Sequence, residues 1–169
     1  FPAFSQDFPT KPITVYCGFE AGATTDLTAR ALAEEGQKVL GVPAVVENKA
    51  GGGSTVAASL LAAKKPDGYT LAVVASSALD VRHIMLAPPY DPFKAFTYIL
   101  AYGNYVGGIC VLKDSPFKTL DDLLNYAHKN PGVLSYSSSG IGANPQLAVE
   151  YLAKQAQVKI KHVPFKGGA

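Results

Sequence analysis

Three stretches of small residues stand where an apolar run gives way to a helix-forming segment, and the chemistry they suit is capture of an anion. Ile13-Thr14-Val15-Tyr16-Cys17 leads into Gly18-Phe19-Glu20-Ala21-Gly22-Ala23-Thr24-Thr25-Asp26. Leu71-Ala72-Val73-Val74-Ala75 leads into Ser76-Ser77-Ala78, and Leu134-Ser135-Tyr136 into Ser137-Ser138-Ser139-Gly140-Ile141-Gly142-Ala143-Asn144. Each reads as a strand, a bare loop and a helix N-terminus. Such loops leave backbone N–H groups uncovered beside the positive end of a helix dipole, which favours a small anion. Small side chains let a ligand approach the backbone, and hydroxyls add donors without forcing one geometry. An anion held by charge-assisted bonds from N–H groups needs no lysine or arginine.

Rival chemistries find less support. Ser137-Ser138-Ser139-Gly140 offers hydroxyls, but the strained G-x-S-x-G elbow is absent and no motif places a His or Asp beside them. Hydrolysis through Ser138 or Ser139 stands as the alternative, and no catalytic residue is expected. Gly51-Gly52-Gly53-Ser54 lacks the GK[ST] ending of a phosphate-binding P-loop and reads as a flexible turn. His83, His128 and His162 are isolated from one another and from Cys or acids at ligand spacing, so no metal and no cofactor is expected. Cys17 and Cys110 both sit in apolar runs and read as buried thiols acting as small hydrophobes; whether they pair is open.

The totals bound the class. The 169 residues are 48% hydrophobic and 17% charged, which is globular composition for one domain or two small lobes. A net charge of +2, with scattered Lys and Arg, gives no field for nucleic acid or an anionic membrane surface. No apolar run approaches the roughly 20 residues that span a bilayer. Phe1-Pro2-Ala3-Phe4-Ser5-Gln6 is too short for a secretory signal but fits a remnant left after cleavage.

The elements that must position the loops follow from periodicity and punctuation. Ile13 to Cys17 reads as a buried strand. The helix from about Thr25 to Leu40 puts Ala29, Leu32, Ala33, Gly36 and Leu40 on one face, with Thr24 or Thr25 as N-cap and Gly41 as stop. Strands follow at Ala44 to Glu47 and Tyr69 to Ala75, flanking a helix from about Ser54 to Lys64. This alternation indicates a parallel sheet covered by helices, with ligands at the carboxyl ends of its strands. Phe96 to Ala101 and Val106 to Leu112 read as two more strands, with a lobe boundary near them. A helix from about Leu120 to Lys129 has Thr119 and Asp122 at capping-box spacing. A strand near Leu134, a helix to about Ala156 and a strand at Val158 to Val163 complete the chain. Tyr16, Tyr98, Tyr102 and Tyr105 read as core or lobe-interface residues. The expected units are 1–103 and 104–169. The second has too few elements to bury a sheet on both faces, so a longer chain is expected.

These residues resemble a known family, the periplasmic solute receptors of tripartite tricarboxylate transporters, or Bug proteins. The matches run in order along nearly the whole chain: Lys11-Pro12-Ile13-Thr14 leading to Phe19, Gly22 and Thr25-Asp26; Val46-Glu47-Asn48-Lys49 with Gly51; Pro66-Asp67-Gly68-Tyr69-Thr70; and Pro89-Tyr90-Asp91-Pro92 with Lys94 and Phe96. Then come Lys118-Thr119-Leu120, Asn130-Pro131-Gly132, Tyr136 with Ser138-Ser139-Gly140 and Gly142, and His162-Val163-Pro164-Phe165-Lys166-Gly167.

The resemblance implies an α/β fold of the type II periplasmic-binding-protein kind: two lobes joined by a hinge, the second incomplete in this chain, with a small organic carboxylate in the cleft. It also implies a periplasmic location, docking to a membrane permease, and no direct membrane insertion. Carried over position by position, the ligand residues are Phe19, Gly22, Ala23, Thr24 and Thr25; Ser76 and Ser77; and Ser138, Ser139, Gly140 and Asn144. Departures fall at Glu20, an acid near a site for anions, and at Ile141 and Ala143, which make the second-lobe wall less polar. A ligand-sensing interaction module on the same scaffold is the further alternative.

Overall fold

The computed structural model describes residues 8–80 and 87–165; His83 lies outside the described residues. The first sheet is built from β1 (Ile13–Cys17), β2 (Ala44–Asn48) and β3 (Thr70–Val73) in the order β2-β1-β3. Both pairings are parallel, with Val15 opposite Val46 on one side and Leu71 on the other. Two helices join these strands, α1 (Thr24–Leu40) and α2 (Thr55–Ala62). Parallel neighbours require such crossovers, and these place every strand-to-helix loop of the sheet at the same edge.

β1 is the central strand and carries the core: Ile13, Val15, Tyr16 and Cys17 are all buried. Cys17, Phe19, Ala23 and Ala29 form one apolar cluster, with Val46, Val73 and Ala75 against it. The core therefore runs into the first loop. On α1, Ala29 and Ala33 face inward as the periodicity predicts, but Leu32 and Leu40 are 45% and 42% exposed. Thr25 and Asp26, in the first turn, are buried as well. Gly41 ends the helix in the left-handed region, at φ 71°, as a C-cap glycine does.

The second sheet pairs β4 (Ser135–Ser138) with β5 (Lys161–Pro164), again parallel, with Tyr136 opposite His162. Between the sheets lie a single turn of helix, α3 (Pro92–Ala95), and the helix α4 (Leu120–Lys129). Helix α5 (Asn144–Gln155) connects β4 to β5. Both bonds of the capping box form: Thr119 accepts from the Asp122 amide at 3.1 Å, and Asp122 accepts from the Thr119 amide at 2.9 Å. Val158, expected in the last strand, packs instead with Ala127 and Ala153 in a second apolar cluster, and pairing starts only at Lys161.

Two expected strands do not form. No strand is found between residues 96 and 112, where Ile99, Leu100, Val106 and Leu112 stand 67–99% exposed. Their β-forming composition supplies no ladder by itself, since each strand needs a neighbour to take its backbone bonds. Cys110 lies in this segment and is exposed, so the expectation of two buried thiols holds only for Cys17; neither cysteine is paired. Tyr98, Tyr102 and Tyr105 are likewise 58%, 40% and 66% exposed, whereas Tyr16 is buried.

Candidate functional site

The first loop is braced from beneath by one buried carboxylate. Asp26, 1% exposed, accepts from the Gly22 amide at 2.9 Å, from Asn48 Nδ2 at 2.7 Å and from Arg30 Nε at 3.0 Å. Asn48, at the end of β2, also donates to the Phe19 carbonyl at 3.0 Å and accepts from Arg30 Nη2 at 2.9 Å. The Arg30 bond is the main cause holding the Asp26 carboxyl down at about 2; burial opposes it, and the Gly22 and Asn48 donors assist. Asp26 thus ties the first loop to β2 and to the next turn of α1. Glu20 is exposed, so the acid in this loop faces solvent.

Bracing leaves the start of α1 bare. Its N-cap is Ala23, in extended conformation, with no side-chain cap. The Ala23 amide is taken by the Glu20 carbonyl at 3.2 Å and the Gly22 amide by Asp26. Phe19, Ala23 and Thr25 are buried while Gly22 and Thr24 are exposed, which puts the first-turn backbone at the surface above a solid floor. The Thr25 hydroxyl meets that of Tyr105, and the Thr28 hydroxyl lies 3.2 Å from that of Tyr102.

The third-strand loop lies beside the first. The Gly18 amide donates to the Val73 carbonyl at 3.0 Å, and Ala75 belongs to the same apolar cluster as Phe19 and Ala23. Ser76 is exposed and Ser77 2% exposed at the head of the turn Ser76–Ala78. A part the sequence did not flag sits below both loops. Ser54, fully buried at a left-handed φ of 75°, accepts the Ala75 amide on its Oγ at 3.0 Å. A Cβ on Gly18 would fall 2.2 Å from that of Ser54. Ser54, at the end of the glycine run before α2, is therefore packed closely beneath Gly18.

The loop after β4 repeats the plan of the first. Ala143 is the N-cap of α5, extended and without a side-chain cap. Its amide is taken by the Gly140 carbonyl at 3.2 Å, and the Gly142 amide donates to Gln146 Oε1 at 2.6 Å. Gly22 and Gly142 both adopt positive φ, 83° and 70°. Ser138 is buried, with its Oγ between the Gly140 amide and carbonyl, and 2.7 Å from His162 Nε2. This histidine contact was not expected from sequence; the only signal was its place on a strand beside the loop. The structure groups Phe19, Gly22, Ala23, Thr24 and Thr25 with Ser76 and Ser77 on the first sheet, and Ser138, Ser139, Gly140 and Asn144 on the second. No hydrogen bond among the described residues joins the two groups.

Among the described residues no group of three His, Cys, Asp or Glu is placed to hold a metal, and no helix is long and apolar enough to cross a membrane. The family described as tripartite tricarboxylate transporter family receptor matches residues 28–169, and the chain belongs to it. A Cupriavidus necator relative, described as "UPF0065 protein in gbd 5'region", is 38% identical over 99% of this chain and 51% of its own length. A solved structure described as a periplasmic transporter superposes with a TM-score of 0.87 at 36% identity, covering 95% of this chain and 54% of that one. An R. palustris protein solved with adipate gives 0.78 at 30% identity, with the same two coverages, 95% and 54%. The chain thus spans about half the length of the relatives it matches.

Proposed function

We propose that this chain belongs to an extracytoplasmic receptor that captures a small organic carboxylate for a membrane permease. The observation that carries the reading is the common construction of two loops. In each, the amides of a glycine and an alanine are consumed internally, and the helix that follows starts without a side-chain cap. The amides beyond them are the natural partners of an anion at a helix start. Family membership and the adipate-bound neighbour support a carboxylate as that anion. The ligand residues are those carried over above, divided between lobes at 1–103 and 104–169. Closure of one lobe on the other by a hinge follows if the ligand gains contacts only in the closed state. A periplasmic location and a permease partner rest on the family.

The Ser138–His162 contact is also the pair a hydrolase would use. Ser138 Oγ, however, is already held by both backbone groups of Gly140, and among the described residues no carboxylate is hydrogen-bonded to the ring. That geometry lacks the third group that orients the base of a catalytic triad.

Calorimetric titration of the full-length protein with a panel of mono- and dicarboxylates, adipate included, tests the reading. Saturable binding of at least one acid, with no mass change after a fluorophosphonate probe, is expected. Heat only with sugars or cations, or a phosphonylated serine in the Ser137–Ser139 loop, overturns it.

A further inference from the structure

Two tyrosine hydroxyls from the strandless stretch 96–112 reach the start of α1, and their protons are committed differently. The Thr28 hydroxyl donates its one proton to the carbonyls of Thr24 and Thr25, both at 3.0 Å. The Tyr102 hydroxyl, 3.2 Å from that same oxygen, is therefore the donor of its pair, and its proton is spent. Tyr105 meets the Thr25 hydroxyl instead. Two hydroxyls carry two protons, and one mutual bond uses one of them. Among the described residues neither oxygen has another hydrogen-bond partner, so one proton is left over whichever group donates. Burial decides which oxygen can offer it outward. Thr25 is 6% exposed and Tyr105 66%, so a ligand arriving from solvent meets the phenol. With Thr25 as the donor of the pair, the phenol keeps its own proton for a ligand at the first turn of α1.

We propose that Tyr105 is a ligand-binding residue of the first-loop site. Its hydroxyl donates to the bound carboxylate, Thr25 positions that hydroxyl by donating to it, and Tyr102 ties the segment to α1 without touching the ligand. This deepens, and rests on, the carboxylate-binding reading above. It also defines the part played by Thr25, whose side chain acts through Tyr105 while its backbone amide remains with the anion site. A carboxylate has two oxygens and about four acceptor positions, so it can take bonds from the helix amides and from the phenol together. The phenol suits that place: it adds a donor without adding charge, on a ring with few rotatable bonds to order. Tyr105 lies 80 residues beyond Thr25 and just past the boundary proposed at 103/104. The anion is then held both by the first loop and by the segment that leaves the first unit.

The test is calorimetric titration of the full-length protein and of Tyr105→Phe, Tyr102→Phe, Thr25→Val and the Thr25→Val, Tyr105→Phe pair. The titrant is adipate or, if adipate is silent, the tightest-binding acid of the same panel. Tyr105→Phe keeps the ring and loses the hydroxyl, and affinity falls roughly tenfold or more, as for a lost hydrogen bond to a charged group. Tyr102→Phe stays within twofold of the unsubstituted protein. Thr25→Val weakens binding by itself but adds nothing in the Tyr105→Phe background, because the two hydroxyls act as one unit. A second measurement follows the native rings: with carbon-13-labelled tyrosine, the acid moves the NMR signal that Tyr105→Phe deletes, and moves it further than the one Tyr102→Phe deletes. Unchanged affinity in Tyr105→Phe, equal losses in the two tyrosine variants, additive losses in the pair, or a Tyr105 signal that the acid leaves in place each overturn the inference, while binding by the unsubstituted protein keeps the carboxylate reading intact. Silence of the unsubstituted protein toward every acid removes that reading and this inference with it.

Discussion

Asp26 and Gln146 do the same work in two different sheets: each reaches back four residues to accept the amide of a left-handed glycine, Gly22 at 2.9 Å and Gly142 at 2.6 Å. The two differ in charge. Asp26 is neutralised where it sits by Arg30 and further hydrogen-bonded by Asn48. Gln146 needs no such partners, and the second loop is correspondingly simpler. The shared geometry is a glycine amide turned back onto a side chain of the first helical turn, followed by an N-cap alanine that offers no side-chain cap.

Gln146→Glu separates geometry from charge. The hydrogen bond to Gly142 survives, so unfolding shifts within about 0.5 kcal/mol, as for most surface changes. An unneutralised carboxylate now lies beside the bare helix start, and adipate affinity drops roughly three- to tenfold. Calorimetry reads the affinity and urea unfolding the stability. Unchanged or tighter binding removes the second loop from the site.

Asp26→Asn tests the first brace. Three donors, the Gly22 amide, Asn48 Nδ2 and Arg30 Nε, converge on this buried carboxylate, and weakening them costs about 1–3 kcal/mol at neutral pH. The pH dependence has a definite sign. The carboxyl is held down from 3.8 to about 2 in the folded state. Its contribution is therefore complete above 3.8 and is lost as pH falls through about 2, because the unfolded chain takes up the proton first. The stability gap between the two proteins stays constant from pH 7 to 5 and narrows toward pH 2. A gap that widens on acidification would show that Asp26 is not the ionised member of the network.

Much of this was legible in the sequence where the determinant is local. Thr119 and Asp122 announce the start of α4 by spacing alone, and both bonds form. β1 and its loop follow from one apolar run meeting small residues. What escaped depends on distant parts of the chain. Ser54 and Ala75 are 21 residues apart, and Ser138 and His162 24 apart; only the parallel crossovers bring them together. Residues 96–112 show the converse. Their composition is that of strands, but a strand is a pairing, and composition does not say whether a partner is at hand. Leu32 and Leu40 fit the helix period and are still 45% and 42% exposed, because a period marks a shared face but not how far along the helix that face is covered.

Gly18 and Ser54 form the joint beneath the first and third loops, and a mutant cycle measures it. Gly18→Ala drives a Cβ to within 2.2 Å of the Ser54 Cβ, an overpacking that costs about 1–3 kcal/mol. Ser54→Ala leaves the Ala75 amide without its acceptor, at a similar cost of about 1–3 kcal/mol. Ser54→Gly removes the blocking Cβ and suits the positive φ. Gly18→Ala combined with Ser54→Gly is then less destabilised than the sum of the two single changes. Denaturant unfolding reads the coupling, and strict additivity means that the two residues do not press on each other in solution.

The two cysteines differ enough to report on the first sheet's core without any substitution. Cys17 is fully buried at the end of β1, and burial is the main cause raising its thiol above the ordinary value. Cys110 is exposed. The thiolate is the reactive form, so a thiol reagent at neutral pH modifies Cys110 within the mixing phase and Cys17 only when the sheet opens. Mass spectrometry after brief labelling therefore finds one adduct, on Cys110, and a second that grows in step with denaturant unfolding. Adipate slows that second adduct, since a ligand on the loop following Cys17 stabilises the closed sheet by mass action. Equal labelling of both thiols in the native protein contradicts the packing of Cys17 against Phe19 and Ala29. Protection of Cys110, with Cys17 unaffected by adipate, places the ligand away from the first loop.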